Sequence, residues 1–539
     1  MSRFGNTLAR FHVAHLLMLL GIIGAAFLWK SGVIKKIRND IVYRTPFRIP
    51  GLPPCPDCNI VLLNLDSMRA PNLPCYGYSR NTTPNLCAYA KKNALFTRFY
   101  SQSSVTLDSH MSIFTGLYPS THHVVEAFKD SLNPSIPTLT QALAASGYRT
   151  IWAGSTEDIL LPLDKGLGRG FSEIYHMNGA DPRMYEPLLS KLTDGPPTFI
   201  FFHSYSPHSP YLPGEGPRQY VEAPKGTNIP VTAEDFWAHD RTFYVFMLSE
   251  FEKRLGNSET EQSIVRNTEV VRKLRAALQE RDMTLAQAVF DALPLFEQYD
   301  LSITWYYRNA DPKNPEILTY LEGLYDEQLG NVDKNISAML DFLSKPEIKR
   351  KTIVIFLSDN GEEFMEHGFV DHGWSIYSVE THVPGIIAAP KTQPGIYHEL
   401  SQTVDLYPTV LDLVGIKPLA PFEGRSLRPI LEGRGEQHVG DTYVVGQHRA
   451  DITVSIRNNR WKMYKNNALN KQYTELYDLM TDPWEQQNVL GKHQDIAVRL
   501  DEALSRIMNA SPVYASVSGE FPAWLDESKR RELIEEGYF

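Results

Sequence analysis

Short, nearly unbroken apolar runs punctuate this chain, and between them lie longer stretches in which apolar residues recur at helical spacing. The first run, Asn59-Ile60-Val61-Leu62-Leu63-Asn64-Leu65, has the composition of a central strand covered on both faces, as in a parallel sheet. Comparable runs follow at 148–153, 198–202, 352–357 and 383–388, and helical patterns fill intervals such as 137–146 and 320–343. This alternation predicts an α/β fold, a doubly wound, mostly parallel sheet spanning about 58–417. From about 214 to 315 the alternation breaks. Val270, Val271, Leu274, Ala277 and Leu278 keep helical spacing there, and we read a helical insertion that elaborates the sheet rather than a lid over it. Beyond 418, strand-like pieces at 442–446, 452–457 and 460–464 and a helical stretch at 497–508 predict a smaller C-terminal α+β subdomain and tail, 418–539.

One run is longer than the rest. From Phe11 to Trp29 every residue but His12 and His15 is apolar or small, and about 20 such residues cross a bilayer. No A-x-A-like cleavage site follows it, so a transmembrane anchor at 11–29 is preferred to a cleaved signal peptide. A short segment, 1–10, precedes it. Five prolines between Arg44 and Pro56 suit an extended tether, 30–57. The expectation is a single-pass protein of the cell membrane with its main domain extracytoplasmic, periplasmic or lumenal. Arg and Lys flank the span on both sides, so charge alone does not set the topology.

At 539 residues the chain exceeds one ordinary domain, and its 42% apolar fraction suits a large buried core. The formal net charge of −10 argues against a nucleic-acid partner, which would need clustered Lys and Arg. Four cysteines are too few for a disulfide framework. Cys55 and Cys58 precede a strand rather than open a helix, so a local disulfide is preferred to a redox motif, with an unpaired loop as the alternative. A zinc site would need a second half, for which Cys75 and Cys87 are poorly spaced.

Ligands of open parallel sheets bind beyond the carboxyl ends of the strands, so the residues that end each run carry the interest. The run at 59–65 ends in Asp66-Ser67, that at 352–357 in Ser358-Asp359-Asn360, and that at 198–202 leads to Pro207-His208. Two carboxylates and an amide oxygen are hard ligands, suited to calcium, magnesium or manganese. A single Asp in such a place is more often a cap or loop brace; the coincidence of two strand ends weakens that reading. The segment Thr106 to Gly116 reads as a helix closed by its glycine. Its N-terminus, with Thr106, favours an anion, and His110 stands one turn further on; on these residues alone the first reading of Thr106 is a plain helix cap.

Asn59 to Arg69, Cys75 to Tyr78, Thr82 to Leu86, Thr106 to Pro119, Ser358 to Glu362 and Val383-Pro384 occur in the order of the sulfatase family of the alkaline-phosphatase superfamily, which this chain resembles. Thr403 to Asp412, Glu423 to Leu427 and Glu475 to Pro483 are similar to the family's closing segments. The resemblance implies a divalent cation, calcium first, with magnesium, manganese or zinc as alternatives, held by Asp66, Asp359 and Asn360. It also implies a nucleophile at Thr106, and His110, His208 and His372 around the ester oxygens or as proton donors. His122 matches a further family histidine, to which we give a structural role.

The departures narrow the reading. Sulfatases proper carry C-x-P-S-R, whose Cys becomes formylglycine; Thr106-Leu107-Asp108-Ser109-His110 stands here, so no formylglycine is expected. Ser67 replaces a second metal carboxylate, and Ala153-Gly154-Ser155-Thr156 lacks the family's Lys and His. The set resembles the branch with a threonine nucleophile, which includes phosphoethanolamine and glycerol-phosphate transferases. The expectation is cleavage or transfer of a phosphate-type ester, on a glycan, lipid headgroup or other small ester, through a covalent Thr106 adduct. The alternatives are a sulfuric ester hydrolase without formylglycine and a non-catalytic protein that keeps the fold for binding or assembly at the membrane. Protein partners are not readable.

Overall fold

The computed structural model describes residues 51–519 apart from 127–128, 156–160, 178–181, 216, 226–228, 258–260, 294, 435–441, 449–451 and 468–471. Its centre is an eight-stranded sheet of β1 (Asn59–Leu65), β2 (Ala94–Phe96), β3 (Arg149–Gly154), β4 (Glu173–His176), β5 (Thr198–Ser204), β6 (Thr352–Leu357), β7 (Gly385–Ala388) and β8 (Gly395–Tyr397). The order across the sheet is β8-β2-β7-β6-β1-β5-β3-β4. All pairings are parallel except those of β7, which runs antiparallel to β6 and β2. The sheet is therefore mixed, though mostly parallel as expected.

Alternation along the strands sorts side chains onto two faces. Val61, Leu63 and Leu65 of β1 join Val354 and Phe356 of β6 and Ile200 and Phe202 of β5 in one buried cluster. Ile60 and Leu62 join Ile353, Ile355, Phe199 and Phe201 in the other. The helix Pro315–Ser344 covers the first face through Leu321, Leu324 and Leu329. The second face is covered by helix α1 (Thr106–Thr115), through Leu107, Met111 and Phe114, and by helices Leu139–Ala145 and Leu406–Val414. Burial on both faces explains why the strands read as continuous apolar runs, each such Leu, Ile or Phe being worth about 1.5–3 kcal/mol.

Between β5 and β6 the chain forms helices Arg241–Asn257, Glu261–Glu280, Met283–Asp291 and Leu295–Asn309. Val270, Val271, Leu274, Ala277 and Leu278 are buried together with Phe243, Met247 and Phe290 in a separate core. Leu295–Asn309 serves both cores, giving Leu301 to this one and Ile303 and Tyr306 to the first face of the sheet. Towards the C-terminus, β9 (Val444–His448), β10 (Thr453–Arg457), β11 (Trp461–Asn466) and β12 (Tyr473–Asp478) form an antiparallel meander. Helix Gln494–Asn509 packs on it through Leu500, Ala503 and Leu504.

One expectation is corrected. Among the described residues no helix is long and apolar enough to cross a membrane. The 30-residue helix Pro315–Ser344 has the length but carries Glu316, Glu322, Glu327 and Lys334. On that finding the single-pass anchor and the membrane location are corrected; the stretch 11–29 itself lies outside the described residues. Cys75 and Cys87, discounted only as the second half of a zinc site, form a disulfide, because helix Pro84–Ala90 folds Cys87 back to a Cα–Cα distance of 5.3 Å. The Cys55–Cys58 disulfide is present as expected.

Helix α1 ends at Gly116, whose φ of 70° closes it in the left-handed conformation. A Cβ there would meet Tyr407 Cβ at 3.0 Å and Phe422 Cβ at 3.1 Å, whereas at Gly147, φ 88°, it would meet nothing within 4 Å. Gly116→Ala should therefore lower the thermal midpoint more than Gly147→Ala, with a total cost of about 2–4 kcal/mol against about 1 kcal/mol for backbone strain alone. Equal midpoints in the two variants would show that the wall formed by Tyr407 and Phe422 yields.

Candidate active site

Three adjacent parallel strands, β6, β1 and β5, bring their carboxyl ends together. Asp66 directly follows β1, Asp359 lies two residues beyond β6, and His203 sits near the end of β5, where it pairs in register with Asn64. All three side chains are fully or almost fully buried, and one ligand atom from each lies within 4.8 Å of the others. His203 Nε2 is 3.3 Å from Asp66 Oδ2. Asn64 Nδ2 donates to Asp359 Oδ1 at 2.9 Å, and Ser67 Oγ donates to Asp66 Oδ1 at 2.9 Å.

Thr106 opens α1 with Val105 as the capping residue, and its Oγ1 donates to Asp66 Oδ2 at 3.5 Å. Five of the seven residues singled out from the sequence thus meet here: Asp66, Thr106, His110, Asp359 and Asn360. His110 lies under the first turn of α1. Its Nδ1 donates to the Thr106 carbonyl at 2.7 Å, and its Nε2 faces Asn64 Nδ2 at 3.4 Å. Burial, then the neighbouring His203, push His110 down to about 3, so it is a neutral brace of the Thr106 peptide.

His208 and His372 form the outer wall. Their rings meet edge to face at 4.7 Å, and each offers a nitrogen within 4.8 Å of Asp66. His208 Nδ1 donates to the Ser209 carbonyl at 2.6 Å. His372 Nδ1 lies 2.9 Å from Asp371 Oδ1, 3.3 Å from Glu362 Oε1 and 3.3 Å from Ser67 Oγ. Burial would lower this imidazole, but Glu362 and Asp371 outweigh it and hold His372 well above its usual value. Burial, then Asp371, push Glu362 up to about 8.

The two inner carboxylates show how well the site fits a cation. Burial would raise Asp66, but the hydrogen bond from His203 and the histidine charges around it hold it well below the usual carboxylate range. Asp359 is driven upward, by burial first and then by the charge on Asp66. Asn360 Nδ2 is directed at both, 3.4 Å from Asp66 Oδ1 and 3.1 Å from Asp359 Oδ2, while its Oδ1 has no hydrogen-bond partner among the described residues. Turning the amide over presents that oxygen to the carboxylates. Two buried carboxylates and a partnerless amide oxygen fit a hard divalent cation, with His203 as a nitrogen neighbour.

Residues 58–416 match the family described as Sulfatase. The chain belongs to the sulfatase family. As a member it is a sulfatase-like hydrolase acting on sulfuric or phosphoric esters, a family that normally binds a divalent cation. Residues 365–510 also match the description N-sulphoglucosamine sulphohydrolase, C-terminal. The chain is 23% identical over 490 residues, 80% of its own length and 83% of the other's, to N-acetylglucosamine-6-O-sulfatase of Bacteroides thetaiotaomicron. It is 28% identical to arylsulfatase K of Homo sapiens, a match spanning only 41% of this chain and 42% of that protein. The phosphonate monoester hydrolase of Agrobacterium radiobacter shares the fold, with a TM-score of 0.58 at 19% identity, covering 84% of this chain and 95% of that one.

His203, Asn64, Glu362 and Asp371 escaped the sequence reading. A histidine and an asparagine inside otherwise apolar strands were the available signal for the first two, since a fully buried strand has no other use for them. His122 holds α1 to the turn behind it, with Nε2 3.2 Å from Ser112 Oγ and Nδ1 accepting from Val124 N at 3.1 Å. Burial above all depresses it from 6.5 to about 3. Between these values the unfolded chain takes up a proton that the folded chain refuses, so stability is lost as pH falls below 6.5, by about 1.4 kcal/mol per pH unit for each such histidine. The drop in thermal midpoint between about pH 7 and about pH 5 should therefore be smaller in His122→Gln than in wild type; equal drops would show that His122 is protonated in the fold.

Proposed function

We propose that this sulfatase-family chain cleaves or transfers a phosphate-type ester through Thr106. One observation carries the reading: an unmodifiable alcohol, Thr106 Oγ1, stands at the first residue of a buried helix, 3.5 Å from Asp66 Oδ2. A divalent cation held by Asp66, Asp359 and Asn360 would supply Lewis acidity that lowers the pKa of that hydroxyl and offsets charge on the ester oxygens. Calcium is the first choice, with magnesium, manganese and zinc as alternatives, and no formylglycine is involved.

The residues of the chain do the rest. The helix N-terminus and His208 favour the anionic ester. Thr106 Oγ1, its proton given up to solvent, attacks phosphorus; a Thr106 O–P bond forms and the bond to the departing oxygen breaks. His372, kept protonated by Glu362 and Asp371, gives the departing oxygen its proton. Water or an alcohol then gives a proton to His372 and attacks the same phosphorus, the Thr106 bond breaks and Thr106 takes a proton back from solvent. His110 acts through Thr106 by holding its peptide.

The names of the relatives favour a second reading, a sulfuric ester hydrolase, and the N-acetylglucosamine-6-O-sulfatase supports a glycan as the group that carries the ester. Against it, a sulfated threonine lacks the elimination route that an aldehyde hydrate provides. The domain division retained is 58–417 for the chemistry, with the insertion at about 214–315, and 418–539 for the C-terminal subdomain.

Thr106→Ala should lower kcat/KM on an aryl phosphate diester by at least on the order of 10³-fold, and Asp359→Asn should lose bound divalent metal, measured by elemental analysis. Chelation should abolish turnover reversibly. A wild type that binds no metal and hydrolyses no better than Thr106→Ala would support a non-catalytic role. Donors radiolabelled in phosphorus or sulfur identify the adduct on Thr106: phosphorus supports the proposal, and sulfur replaces it with the sulfuric-ester reading.

A further inference from the structure

Immediately after His372 the chain runs through Gly373-Trp374-Ser375-Ile376-Tyr377-Ser378 with little regular structure, yet many polar groups on this strap have a partner. The Glu380 carboxylate accepts from the backbone N–H groups of Gly373 at 3.0 Å, Trp374 at 3.3 Å and Ser375 at 3.4 Å, and from Ser375 Oγ at 2.5 Å. Ser104 Oγ donates to the Ser375 carbonyl at 2.6 Å. Ser104 lies two residues before Thr106, so the strap that leaves His372 is tied directly to the segment that delivers the nucleophile.

The far end of the strap is held by the C-terminal subdomain. Lys462 Nζ, from β11, donates to the Ile376 carbonyl at 2.7 Å and to Glu485 Oε2 at 2.9 Å. Glu485 accepts from the Ser378 N–H at 3.1 Å and from Ser378 Oγ, and Arg457 Nη1 of β10 donates to Ser378 Oγ at 3.2 Å. The Lys462 and Glu485 side chains are 2% and 0% exposed. Apolar residues of similar volume would bind two subdomains together without desolvating an ion pair. What they could not do is fix a backbone carbonyl and an amide two residues apart at set distances, which the pair does here.

We propose that Lys462 and Glu485 are positioning residues of the reaction: through the strap they set where His372 stands relative to Thr106. The proposal rests on the reading of His372 and Thr106 as site residues. It gives the C-terminal sheet a part in the chemistry without contact with substrate. The wild-type strap reaches from that sheet to Ser104, so loosening its far end frees both sides of the site.

The test uses the full chain and the variant Lys462→Met/Glu485→Gln, which removes both charges of the pair together. Amide hydrogen exchange in a peptide covering 373–378 should be faster than in wild type, with β1 and β6 unchanged. On the aryl ester that wild type turns over, kcat should fall on the order of 10- to 100-fold, with KM moving by less than about threefold. Lys462→Arg alone, which keeps a donor on the Ile376 carbonyl, should recover most of kcat, and it is the variant to read if the double one does not fold. Arg460→Gln, which breaks the exposed pair with Asp478 on the same sheet, should leave both readouts as in wild type. Unchanged exchange at 373–378 overturns the proposal whether or not the wild type turns over any ester. Faster exchange with kcat unchanged overturns it too, since the strap would then be loose without consequence. A wild type without turnover sinks the reading of Thr106 instead, and exchange alone then decides whether the pair holds the strap.

Discussion

Asp66 and Asp359 end neighbouring strands, and neither has access to water. Two carboxylates so placed repel each other in a medium that screens poorly, and much of the surrounding structure answers that repulsion. Asn64 donates to one and Ser67 to the other, His203 leans on Asp66, and the Asn360 amide bridges both. Parallel strands make the arrangement achievable, because they point all their carboxyl ends the same way and bring residues distant in sequence to one edge. Without a compensating positive charge the cluster would be an expensive way to finish a sheet.

Around this centre the site is layered. Innermost are groups whose ionisation is set by burial, such as the neutral His110. Outside them stand His208 and His372, partly reached by solvent, with Glu362 and Asp371 deciding the charge of the latter. Ser67 has a local part in this layering. A hydroxyl that touches both Asp66 and His372 links the layers without adding a third negative charge to the inner one.

The central strands were legible because both of their faces are buried, which writes the sheet directly into hydrophobicity. Asn59–Leu65 and Thr352–Leu357 match their sequence bounds residue for residue. Ala94–Phe96 and Gly395–Tyr397 were not legible, since three residues cannot display a period. Asp66, Asp359 and Asn360 drew attention because they follow readable strands, and Thr106 because it stands in a segment that resembles the family's. His203 was hidden inside an apolar run, and Glu362 and Asp371 lie around a short two-stranded hairpin that no pattern announces. The Cys75–Cys87 bond was missed for a related reason: spacing in sequence says nothing about a helix that turns one residue back on the other. The long apolar stretch at 11–29 was read from hydropathy alone, and no helix among the described residues supports the anchor drawn from it.

The helix Leu295–Asn309 places Leu301 in the core of the insertion and Ile303 and Tyr306 in that of the sheet. Side chains on one rigid cylinder cannot leave one core without disturbing the other. The insertion is thus not a cassette that could be lifted out at its sequence boundaries: the natural seam lies before residue 295, inside the insertion. A shortened homologue or transplanted version would have to keep this last helix as part of the sheet's own wall, and the two cores should open together on that side.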